Sequence, residues 1–219
     1  MLKLLYKYLK NNILEYGEGV ADFKYVGNSS NNINSIAGKH SQIRDISVCR
    51  DYFRLCNYYG DKIDDRIIKH IKTFYRITER GVQPIDSFGC NGDYISSIIS
   101  CGAVNGNELI SLIQLGNYII NYEVKLDETG FAYPQALIGI LDLYTYLSKL
   151  DNNHTLIQNN RKLIHDFMDE CLRKCIEIFE KFDIIFPKIE VSDSGVVSDS
   201  GVFYANWQVQ FLVWLCNTL

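Results

Sequence analysis

The chain has 219 residues, 47% of them hydrophobic and 22% charged, which suits one globular domain with room for a sizeable core. Its 22 basic and 26 acidic residues leave a net charge of −4 with no block of either sign, so a nucleic-acid partner is not expected. No stretch reaches the roughly 18 uninterrupted apolar residues of a membrane span, so a membrane partner is not expected either.

Apolar spacing places helices near 2–16, 43–59, 64–79, 93–101, 106–122, 131–149, 156–182 and 203–218. The expected fold is all-α, with residues 1–219 forming a single helical domain. The first segment, Leu2-Lys3-Leu4-Leu5-Tyr6-Lys7-Tyr8-Leu9-Lys10, sets lysines at helical spacing and so reads as an amphipathic helix, not the core of a signal peptide. The seven cysteines are Cys49, Cys56, Cys90, Cys101, Cys171, Cys175 and Cys216. An odd number on apolar helix faces, without a secretory leader, points to reduced thiols and a cytoplasmic setting.

Asp64-Asp65 open the 64–79 helix as N-cap and first turn. A magnesium-holding aspartate pair would need a second cluster, which does not follow. Lys69, His70, Lys72, Arg76 and Arg80 lie at the spacing of a solvated face. Gly89-Cys-Asn-Gly-Asp93 and Gly102-Ala-Val-Asn-Gly106 are turns entering helices, and neither fits a nucleotide-binding pattern. Helices 131–149 and 203–218 are apolar nearly all round, which calls for burial on all sides. Helix 156–182 carries one stripe, running from Leu163, Ile164 and Phe167 through Cys171 and Cys175 to Phe179. Cys171 and Cys175 belong to that stripe, so core packing is expected of them and no metal is. The hexamer at 191–196 repeats at once at 197–202, as an insertion tolerated in an exposed loop. The chain closes on apolar Phe211–Leu219, which implies cover from another subunit or a place in a longer domain.

Amphipathic and apolar helices alternate, as outer and inner layers of a stack of helical hairpins. Long connections (17–42, 80–92, 123–130, 183–202) alternate with short ones (60–63, 102–105, 150–155). In an up-down array every second connection lies at the same end, so the long loops and inner-helix N-termini surround one face. That face gathers Arg44, Asp45, Asp93, Glu128, Tyr133, Gln135, Tyr204, Trp207 and Gln208. Rings stack on the apolar faces of sugars, while amides and carboxylates take hydroxyls. Two carboxylates across a cavity can serve as acid and base.

Phe131-Ala-Tyr-Pro-Gln-Ala-Leu-Ile-Gly-Ile-Leu and Tyr204-Ala-Asn-Trp-Gln-Val-Gln-Phe-Leu-Val-Trp-Leu resemble inner helices of the (α/α) toroids of glycan-processing proteins. The resemblance is architectural and extends to no catalytic motif. It implies a partial toroid, or a piece of a larger one, since family members have about twelve helices. The expected function is a carbohydrate-active or carbohydrate-binding protein. Asp45 and Asp93 are its acid and base candidates. Arg44, Glu128, Tyr133, Gln135, Tyr204, Trp207 and Gln208 are expected to touch the ligand, with no cofactor. The competing expectations are a helical scaffold, docking a protein partner or a second copy through the C-terminal helix, and an isoprenoid-type enzyme with an apolar toroid cavity.

Overall fold

The computed structural model describes residues 2–4, 6, 7, 10, 42–73, 77, 78, 81, 82, 88–102, 104–122, 132–150, 155–181 and 199–219. Within the helices, the side chains of 42–45, 132, 156, 157, 181 and 199–208 lie outside that description. Helical residues 2–4, 6, 7 and 10 form α1, followed by α2 (Gln42–Tyr59), α3 (Asp65–Lys72), α4 (Phe88–Ser100), α5 (Gly106–Ile120), α6 (Ala132–Lys149), α7 (Thr155–Lys181) and α8 (Asp199–Thr218). The fold is all-α apart from a two-stranded hairpin, β1 (Ile77–Thr78) and β2 (Gly81–Val82).

That hairpin corrects the expectation of one helix over 64–79. α3 starts where the sequence places it, with the Asp64 carboxylate accepting from the Arg66 N–H as N-cap. It stops at Lys72, where the Thr73 N–H closes the last turn on the carbonyls of His70 and Ile71. Beyond it, Ile77 pairs with Val82 and Thr78 with Gly81. The β-branched residues there fit a strand better than a helix interior.

Helix contacts sort the domain into two layers. α2, α4, α6 and α8 form a row, each packing on the next, while α3, α5 and α7 lie against it and α5 packs on α7. Two levels of hydrogen bonds fix the direction of the row. Asp93 of α4 meets Arg50 of α2 and Gln135 of α6; further along all three chains, Asn57 reaches the Ser100 carbonyl and Ser96 reaches Asp142. These three inner helices therefore run parallel, as an array of hairpins requires.

α4 is the most enclosed element, with every residue from Gly89 to Ile98 buried. Two glycines make this enclosure possible. A Cβ on Gly139 would sit 2.2 Å from the Gly92 carbonyl oxygen, and one on Gly92 would sit 2.5 Å from Ala136. The two backbones thus touch, and only hydrogen fits between them. α6 is buried from Tyr133 to Leu141 and meets the outer layer through Leu143, which stands with Phe167 about Gly116 of α5. α7 buries Ile164, Phe167, Cys171 and Cys175, and turns Arg161, His165, Asp166, Asp169 and Arg173 outward. α3 likewise buries only Ile67 and Ile71. Both are outer helices, as their single stripes predict.

α8 departs from its pattern. Phe211 and Leu215 are buried, but Val209, Val213 and Cys216 are exposed. Over its described side chains, 209–218, the helix is buried on one side only, and among the inner helices it packs chiefly on α6. The expectation of all-round burial is not met over 209–218, and for 203–208 it falls outside the described side chains; α4 is the most enclosed of the described helices.

Candidate functional site

Four rings gather at the end of the domain where α4 and α6 begin and α5 finishes. Phe88 opens α4, Tyr118 stands in the last turn of α5 with Tyr122 just beyond its end, and Tyr133 stands in the first turn of α6. Phe88 stacks on Tyr133 (centroids 5.5 Å apart, planes 15° apart) and lies 4.3 Å from Tyr122 and 6.0 Å from Tyr118. Tyr133 is buried, and burial pushes its phenol well above the ordinary range. It therefore lies beneath the cluster and does not form its surface. The accessible rings are Tyr118, 39% exposed, with Phe88 and Tyr122 partly covered beside it. Asn121 caps α5 between the two tyrosines, its side chain donating to the Asn117 carbonyl.

Five residues into α4, Asp93 is 1% exposed. One carboxylate oxygen accepts from the Arg50 guanidinium; the other accepts from Ser47 and from the Gln135 amide, each at 2.5 Å. Burial pushes this carboxyl up, while the Arg50 charge and the two neutral donors pull it back. Burial works against the Arg50 charge too, but Asp93, Asp51 and Asp142 outweigh it and hold the guanidinium protonated. Asp93 and Gln135 are thus brought together as expected, but as partners of each other. The carboxylate is spent on joining α2, α4 and α6, so the role of a solvent-facing acid or base expected of Asp93 does not fit its surroundings.

Asp45 and Arg44 lie in the first turn of α2, and Tyr204, Trp207 and Gln208 in the first half of α8; their side chains are outside the description, as Glu128 is entirely. Among the described residues no group of three or more His, Cys, Asp or Glu side chains is placed to hold a metal ion. None of the described helices is long and apolar enough to cross a membrane.

Beyond the middle of the row stands a second polar cluster that sequence reasoning missed. Asp142 accepts from Arg54 of α2 and Ser96 of α4, both at 2.5 Å, and from the indole N–H of Trp214 of α8 at 2.7 Å. The Arg54 guanidinium also lies over the Trp214 ring, 5.3 Å from its centroid. One carboxylate therefore gathers all four inner helices, and the row curls until its end members meet. A signal was available, because Asp142 is the single charge between Phe131 and Tyr146 in an otherwise apolar helix. A charge in such a place needs partners. The cluster lies toward the C-terminal ends of α2 and α8, away from the ring cluster.

No protein-family model, characterised protein or solved structure matches the chain.

Proposed function

We propose that the protein binds or acts on a glycan at the end of the domain where α4 and α6 begin and α5 finishes. The observation that supports this is the ring cluster, with Phe88, Tyr118 and Tyr122 partly accessible over a buried Tyr133. Aromatic faces stack on the apolar faces of sugar rings, and tyrosine hydroxyls and helix-end amides take their hydroxyls. Arg44, Asp45, Glu128, Tyr204, Trp207 and Gln208 belong to the proposal through their places at or near inner-helix starts. In it Asp45 is the acid or base to test first, while Asp93 and Gln135 hold the inner helices in register beneath the ligand. A cytoplasmic setting goes with this reading, supported by seven cysteines that are all free thiols.

The test is a glycan array on the purified chain, followed by calorimetric titration of variants. Tyr118→Ala removes an exposed ring without opening the core and is expected to weaken binding by about 3–10-fold. Asp45→Asn is expected to spare binding and to remove any turnover. A chain that retains no glycan, or whose affinity is untouched by both Tyr118→Ala and Tyr122→Ala, overturns the proposal.

A second reading, docking of another protein chain, is favoured by α8, which leaves Val209 40% and Val213 48% exposed.

A further inference from the structure

The exposed side of α8 is a stripe. Val209, Val213 and Cys216 stand at intervals of four and three residues, so they share one helix face, and Leu219 extends it. The opposite face is already committed: Phe211 and Leu215 are buried, and Trp214 donates to Asp142. Rotating the helix to hide the stripe would break that bond and expose those side chains, so the stripe is a settled surface of the fold.

We propose that this stripe is a two-fold contact between two copies of the chain, α8 lying antiparallel on α8 of the second copy. The inference rests on the docking reading above and commits it to one occupant. Two features select self-contact. From Val209 to Leu219, where the side chains are described, there is no Asp, Glu, Lys or Arg. Two such segments can therefore meet without opposing like charges or stripping water from an unpaired one. The stripe is also self-complementary, being balanced about a point between Leu212 and Val213. An antiparallel copy then sets Val209 against Cys216 and Val213 close to the two-fold axis. An isologous interface requires that symmetry, because each residue must find its partner in the same surface of the other copy. One helix face is small beside the roughly 800 Å² per partner of a standard stable interface, so a reversible, concentration-dependent dimer is expected.

Sedimentation velocity of the full chain from about 1 to 200 µM tests this, a span matched to dissociation constants in the micromolar range. The expected result is a monomer–dimer equilibrium, with Val213→Glu weakening the dimer at least about tenfold by placing like charges at the axis. Far-UV circular dichroism checks that this exposed substitution leaves the helices intact. A second variant, Val209→Cys, tests the register. It places a new thiol opposite the Cys216 thiol of the other copy. A mild copper-phenanthroline oxidant takes two electrons and two protons from that facing pair and leaves a disulfide. A linked dimer should form, and adding Cys216→Ser should abolish it. A monomer at every concentration, or a dimer indifferent to Val213→Glu, overturns the proposal. The monomeric outcome also separates the two readings. If the parent chain then retains a partner protein in a pull-down that Val213→Glu loses, the stripe serves that protein and the docking reading survives without self-contact. If nothing changes, both fall.

Discussion

Replacing Gly139 by alanine puts a methyl group into the backbone of α4. Its Cβ would stand 2.2 Å from the Gly92 carbonyl oxygen and 2.4 Å from the Gly92 Cα, where ordinary contact begins at 3.4 Å. The obstacle is main chain, so no rotamer relieves it and the two helices must part by about 1 Å. Overpacking of this kind costs about 1–3 kcal/mol. Parting α4 from α6 also stretches the 2.5 Å bond from Gln135 to Asp93, and a buried group that loses its partner costs about another 1–3 kcal/mol. Against this, alanine gains about 1 kcal/mol of helix propensity over glycine. The expected balance is a loss of about 1–5 kcal/mol, centred on ~3, or roughly 6–12 °C in Tm at that centre for a chain of this size. Urea unfolding followed by circular dichroism measures it. Gly116→Ala is the internal control, because its Cβ meets the Phe167 ring at 2.6 Å, a buried side chain that can give a little where main chain cannot. Its cost should be clearly the smaller, about 1 kcal/mol or less after the same propensity gain. A Gly139→Ala protein as stable as the parent, or a ranking in which Gly116→Ala costs more, would refute the reasoning.

Three further outcomes follow from the described contacts. Asp93→Asn takes from Arg50 its buried carboxylate and leaves it the half-exposed Asp51, which should cost about 2–4 kcal/mol by denaturant unfolding; adding Arg50→Met, which removes the buried charge, should recover part of the loss. Asn105→Ala removes one half of the capping box with Glu108 and should cost about 1 kcal/mol by the same assay. Asp61 is held below the ordinary carboxylate range, first by the Tyr6 hydroxyl and then by Lys10. A carboxyl with a lowered folded-state pKa stabilises the protein above its unfolded pKa, and that contribution is lost as pH falls through the folded one. The stability gap between the parent and Asp61→Asn should therefore be present at pH 7 and close in acid below about pH 4, as read by Tyr fluorescence and denaturation.

Where a physical signal was local, the sequence by itself determined the outcome. The stripe of α7 appears in the structure as Ile164, Phe167, Cys171 and Cys175 buried and Asp166, Asp169 and Arg173 outward, because an amphipathic period states which side meets the core. Asp64 caps α3, and the apolar body of α6 is buried around Leu141, for equally local reasons. Of the residues the sequence assigns to the long-loop end, Tyr133 does meet other rings, but its partners Phe88, Tyr118 and Tyr122 are visible only in the structure, and the long connections themselves lie outside the described residues.

What only the tertiary structure decided is where helices approach and which polar groups they share. Gly92 looks like part of a turn before a helix, yet it lies inside α4, because contact with Ala136 and Gly139 rewards a missing side chain more than propensity penalises it. From Val209 to Thr218 α8 is apolar on most sides, but its neighbours cover one face there, and no periodicity says how many neighbours a helix will have. Of the two carboxylates that organise the inner helices, Asp93 looked like chemistry and Asp142 was overlooked. Their partners stand 42 to 46 and 46 to 88 residues away, so only the folded chain could show both as cross-links.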